Sequence, residues 1–203
     1  MKKTQEVITF KPKEVTKRLL SVLSDRAQDV VTKRYGLGKN STRLTLEAIG
    51  SEYAITRERV RQIENFSLNA IKKSEAYQGV GGIISEIKDI MESHGGIVHE
   101  DEFLNAIATD KSSQNHIHFL LVLADAFTKL KEDDEFHHRW TTNTKIADQV
   151  ENSLRKVSSS ISDNDLVSEN DLVGSLLKEV KDIADKAAMD NDILAKKWLR
   201  ISK

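Results

Sequence analysis

Apolar residues recur at the three- and four-residue spacing of helices that bury one face through most of this chain. Val15, Leu19, Leu20 and Leu23 predict a first helix over about 13–22. Ser24 reads as the N-cap of a second, with Asp25 in its first turn, Val30 and Val31 on its inner face and Gly36 as its stop after Tyr35. The run Gly38-Lys39-Asn40-Ser41-Thr42 has the chemistry of a loop. Two further helices follow, over about 45–53 and 57–73. Gly79-Val80-Gly81-Gly82 reads as a flexible junction and a domain boundary. Beyond it the pattern predicts helices over about 83–93, 100–108 and 114–127, with His94-Gly95-Gly96 as a turn. Phe127-Thr128-Lys129-Leu130 and Phe136-His137-His138-Arg139-Trp140 then flank Asp133-Asp134, the signature of a β-hairpin. Three helices and a hairpin are the layout of a winged helix.

The last third resembles a second copy of that unit. His94-Gly95-Gly96-Ile97-Val98-His99-Glu100-Asp101-Glu102-Phe103 aligns with Asp163-Asn164-Asp165-Leu166-Val167-Ser168-Glu169-Asn170-Asp171-Leu172, and Trp140-Thr141-Thr142 parallels Trp198-Leu199-Arg200. This copy stops at Lys203 on an expected strand, which points to a fragment of a longer chain. The expected fold class is mainly α: a helix-turn-helix domain over 1–78, a winged-helix domain over 79–145, and a second, truncated winged-helix-like repeat over 146–203.

Charge sharpens this division. Residues 1–78 carry 16 Lys and Arg against 9 Asp and Glu, whereas the remainder carries 15 against 23. A basic first third suits a polyanionic partner, and the acidic remainder suits a protein partner. The absence of cysteine excludes disulfide scaffolds and cysteine-ligated zinc fingers and points to the cytosol. The basic start Met1-Lys2-Lys3-Thr4-Gln5-Glu6 leads into no apolar segment, and the longest apolar run, Phe119-Leu120-Leu121-Val122-Leu123-Ala124, is too short to span a bilayer. A soluble protein without membrane association is expected.

The most informative stretch runs from Thr45 to Glu64. Leu46 and Ile49 give its first helix an apolar face, Gly50 relieves crowding near the turn, and Ile55 fills the corner between the helices. Thr56 is a suitable N-cap for the second helix, and Val60 and Ile63 pack inward. Arg57, Glu58, Arg61 and Gln62 then share the outer face. In a helix-turn-helix this face enters the major groove, where arginine reads guanine O6 and N7 and a carboxylate accepts from cytosine N4. A carboxylate among arginines repels phosphate, which favours base reading over backbone attraction. The same pattern also fits a solvated helix stabilised by its own ion pairs.

Residues 20–73 resemble region 4 of the sigma-70 family of bacterial RNA polymerase sigma factors. The landmarks are Leu23-Ser24-Asp25-Arg26, Arg34-Tyr35-Gly36-Leu37, Thr45-Leu46-Glu47-Ala48-Ile49-Gly50, Thr56-Arg57-Glu58-Arg59-Val60-Arg61-Gln62-Ile63-Glu64 and Ala70-Ile71-Lys72-Lys73. The resemblance implies a bacterial, cytoplasmic, nucleoid-associated protein that binds double-stranded promoter DNA at a −35 element and contacts the flap of the polymerase β subunit. It places Arg57, Glu58, Arg61 and Gln62 at the groove, with capping Thr56 beside them, and Arg59, Lys72 and Lys73 at phosphate. No stretch resembles region 2, so initiation as an ordinary sigma factor is not expected. Residues 82–142 resemble more loosely the HARE-type winged helix, through Ile87, Ile90, Met91, the His94-Gly95-Gly96-Ile97-Val98-His99 turn and Trp140. Two other functions fit the sequence: an adaptor that binds the β flap without reading DNA, and a repressor or activator independent of polymerase.

Other constellations carry less. His116 and His118 fall on opposite sides of a helix, and with His137-His138 they read as surface or wing residues, not metal ligands. Gly79-Val80-Gly81-Gly82 lacks the lysine and hydroxyl of a phosphate loop, and Glu132-Asp133-Asp134-Glu135 reads as a solvated turn. No nucleophile has a base at a recognisable spacing, so neither enzymatic activity nor a cofactor or metal is expected.

Overall fold

The computed structural model describes residues 8–161 and 167–203. Among these are eleven helices and one three-stranded sheet, a mainly helical protein with a helix-turn-helix and winged-helix-like elements. The chain packs as two units that interleave along the sequence. One comprises Met1–Glu86 and Leu104–Asp125, the other Ile87–Phe103 and Ala126–Lys203.

The first unit contains α1 (Pro12–Leu20), α2 (Asp25–Tyr35), α3 (Leu46–Tyr53), α4 (Arg57–Lys72), α5 (Glu75–Gln78) and α8 (Lys111–Leu123). Val30, Ile49 and Val60, all fully buried, form the core where α2, α3 and α4 meet, with Leu44, Leu46, Tyr53, Ile55 and Ile63 packed around them. Ser24 stands at the N-cap of α2 without a side-chain cap bond, and Gly36 ends that helix in the left-handed conformation. Lys33 joins α2 to α3, reaching Asp29 at 2.9 Å and Glu52 at 2.6 Å.

Helix α8 is buried almost all round, His116 and His118 included, so these two are core residues and not the surface residues expected. Polar partners accompany the burial of His116 and of its neighbour Asn115. Thr16 Oγ1 lies 2.5 Å from His116 Nδ1. Asn115 donates to Gly36 O at 3.0 Å and Ser41 O at 2.8 Å, and accepts from Arg43 Nε at 2.8 Å. Tyr35 packs edge-on against Phe119.

The expected flexible junction is helical instead. Gly79 follows α5, Val80 is fully buried, and α6 (Gly81–Ser93) starts at once, with Ile84 N donating to Val80 O at 3.0 Å. Burial of Val80 anchors what composition alone presents as a linker. Helix α6 begins in the first unit and ends in the second, and α7 (Glu100–Ile107) begins in the second and ends in the first.

The second unit holds the sheet, with order β1-β3-β2 and all pairs antiparallel: β1 (Ile97–His99), β2 (Thr128–Leu130) and β3 (Arg139–Thr141). The predicted hairpin is β2–β3, and β1 is an addition to it, pairing Val98 with Trp140. Trp140 is buried and donates to Glu100 at 2.8 Å, and Glu100 also receives Lys129 at 2.6 Å. Beneath the hairpin, buried Arg139 meets Glu151 at 2.5 Å, Asp133 at 3.2 Å and the carbonyls of Lys131 and His137, both at 3.0 Å.

The rest of this unit is α9 (Thr144–Ser159), α10 (Glu169–Ala184) and α11 (Asn191–Leu199). Trp198 sits fully buried on α11, not on a strand as the proposed repeat requires. After β3 the described residues form no strand, only a single bridge between Phe136 and Ser202. Asp163, Asn164, Asp165 and Leu166, which begin the aligned second copy, lie outside the described residues, as does the basic start of the chain.

Candidate nucleic-acid interface

The α3–α4 pair is built around a tight turn. Ala54 takes a left-handed conformation, φ 51°, and Ile55 N donates back to Gly50 O at 2.9 Å. The chain comes so close here that a Cβ at position 50 would lie 2.7 Å from the Ile55 carbonyl oxygen. Only glycine fits that approach without moving backbone. Both helices are capped as expected: Thr45 accepts from Ala48 N at 3.1 Å and Thr56 from Arg59 N at 3.2 Å.

The inner face of α4 fixes the direction of its outer one. Val60 and Ile71 are fully buried, and Ile63 is half-buried. Glu64 also turns inward, where it accepts from Tyr35 Oη at 2.8 Å and faces Arg34 Nε at 3.4 Å. Burial and then the Glu64 carboxylate push the Tyr35 phenol well above its ordinary range, so it remains a neutral donor. Ser67, also buried, closes onto Ile63 O at 2.7 Å. The helix therefore has little freedom to roll about its axis.

With that face anchored, Arg57, Glu58, Arg59, Arg61 and Gln62 are all exposed, as is the cap residue Thr56. They are not independent charges. Arg61 grips Glu58 through two bonds, at 2.8 and 2.7 Å, which hold the Glu58 carboxyl below its usual range. Arg59 Nη1 donates to Gln62 at 3.1 Å. Arg57 Nε lies 3.0 Å from Glu47 on α3.

The two lysines at the end of α4 part company. Lys73 is exposed, whereas Lys72 is half-buried and paired with Asp125. Sequence reasoning did not find Glu47, which acts ten residues upstream and across a turn, beyond any single-helix spacing rule. It also passed over Phe66, which is 73% exposed on α4 one turn beyond Gln62. Among the described residues no group of three His, Asp or Glu is placed to hold a metal, and no helix is long and apolar enough to cross a membrane.

No solved structure matches the chain. Residues 19–73, about a quarter of its length, match the family model described as Sigma-70, region 4. The match coincides with the helices that carry the exposed arginines. This segment is a region-4-type helix-turn-helix, a DNA-binding module of transcription and not a catalytic one.

Proposed function

We propose that the chain is a sigma-like transcription factor that reads a −35-like promoter element with α4 in the major groove. The observation that carries this reading is the joint exposure of Arg57, Glu58, Arg61 and Gln62 opposite a face anchored by Val60, Ile63, Glu64 and Ser67. Those four residues supply the donors and acceptors that distinguish base pairs in the major groove. Arg59 and Lys73 contact phosphate, and Lys72 does so only on leaving Asp125. Contact with RNA polymerase through the β flap belongs to the same reading. The acidic remainder of the chain, with its HARE-like winged-helix elements, binds protein rather than DNA, since its charge opposes a polyanion.

Sequence selection with the purified full chain at physiological salt tests the proposal, because low salt inflates non-specific affinity. A defined −35-like motif is expected. Arg57→Ala and Arg61→Ala should each weaken binding to it by about 1–3 kcal/mol and relax preference at one position. Equal affinity of the wild type for selected and scrambled duplexes refutes promoter reading. Capture of the β flap by a protein that selects no DNA would instead support an adaptor.

A further inference from the structure

The Glu47–Arg57 contact joins two exposed side chains, 59% and 69% accessible, from different helices of the α3–α4 pair. Exposed pairs of this kind contribute little to stability. The geometry of the contact suits recognition better than scaffolding. It engages Nε of Arg57, so both terminal nitrogens keep their N–H groups, the pair that can meet guanine O6 and N7 end-on. Glu58 plays no equivalent part, because it lies on α4 itself and is held in both arms of Arg61.

We infer that Glu47 is a specificity-determining positioning residue: it holds Arg57 extended for a base edge and disfavours the swing of that arginine onto phosphate. This rests on the proposed reading of DNA by α4. On a cognate site Arg57 keeps its bond to Glu47 while the terminal nitrogens contact the base. On other sequences the base edge offers no matching acceptors. The alternative, a phosphate, then has to compete with a carboxylate 3.0 Å from the guanidinium and approach that carboxylate's charge. Glu47 thus lowers non-specific affinity more than specific affinity.

The test compares the full-length wild type with E47Q and E47A on the duplex selected by the wild type and on a scrambled duplex of equal length, each over a salt series. E47A should bind the scrambled duplex about three- to tenfold tighter and the selected duplex within about twofold of wild type, so the ratio falls. The salt slope on the scrambled duplex should steepen by up to about 1. E47Q, which keeps an acceptor for Nε but loses the charge, should fall between the two proteins. Melting curves of all three should coincide, which separates this role from a structural one. A wild type that selects no motif defeats promoter reading itself. A clear motif with an unchanged ratio in both variants, or an equal gain on both duplexes, overturns the role of Glu47 alone.

Discussion

The same substitution should have opposite effects at two helical glycines. At Gly50, a methyl group would sit 2.7 Å from Ile55 O and 3.5 Å from Arg57 N and from the carbonyl carbon of Thr56. The short contact is with backbone, so no side chain can rotate away, and relief requires the turn between α3 and α4 to open by several tenths of an ångström. Overpacking against a fixed neighbour costs about 2–3 kcal/mol. Alanine recovers about 1 kcal/mol of helix propensity. Gly50→Ala should therefore destabilise the first unit by a net amount of about 1–2 kcal/mol. Gly174, in the interior of α10 and exposed, has nothing within 4 Å of its would-be Cβ. Gly174→Ala should stabilise the second unit by about 1 kcal/mol. Calorimetry reads both effects, with a shift of about 4–8 °C per kcal/mol for units of this size, and resolves two transitions if the units melt separately. A Gly50→Ala protein that melts at or above wild type refutes the packing argument, as does a Gly174→Ala protein that melts below it. Because the forced opening re-aims α4, Gly50→Ala should also weaken binding to a selected DNA site.

Three other outcomes follow from interactions made in the interior. Glu151→Gln removes the carboxylate 2.5 Å from buried Arg139 and should destabilise the second unit by about 3 kcal/mol, while Lys156→Ala, which breaks an exposed pair with Glu179, should change little in chemical denaturation. Equal effects of the two would contradict the burial argument. Burial, reinforced by Lys13, lowers the His116 pKa from its ordinary 6.5, so below that pH the unfolded chain binds a proton that the folded chain refuses. The stabilisation is complete above about 6.5 and is lost as pH falls toward the folded value; the drop in melting temperature from neutral to mildly acidic buffer should shrink in His116→Gln. A chain ended after residue 86 lacks α8, and with it the Phe119 ring against Tyr35 and the His116 partner of Thr16, and should melt below the wild type; a cooperative melt at the wild-type temperature would show that α8 is dispensable.

The helix-turn-helix was legible because its determinants are local. Thr45 and Thr56 cap within three residues, Gly50 meets a carbonyl five residues on, and Val60 and Ile63 follow helical spacing. What escaped depends on distant pairing. His116 reads as a surface residue, yet it serves a hydroxyl one hundred residues away, and its neighbour Asn115 serves carbonyls more than seventy residues away. Without those partners the same residues would have to face water. Strand β1 owes its existence to Trp140 and its neighbours, and three residues of Ile-Val-His carry no periodicity to announce it. At Trp198 the parallel with Trp140 predicts a strand, whereas the core formed with α9 and α10 makes this segment a helix.

That contrast bears on how α4 would discriminate among sequences. Counting arginines gives the outer face three positive charges, but the structure sets Glu58 against Arg61 and Glu47 against Arg57, leaving Arg59 as the cation among them whose bond goes to a neutral amide. A face so nearly neutral draws little from the uniform charge of the DNA backbone. Its binding energy must come instead from the match between donors and acceptors held in fixed positions, which requires that α4 not roll. Glu64 supplies that constraint from the buried side, through its bond to Tyr35 on α2. Loosening the inner face by Tyr35→Phe should therefore reduce sequence preference without altering a single exposed side chain of α4, and preference retained at wild-type level in that variant would place the source of discrimination elsewhere.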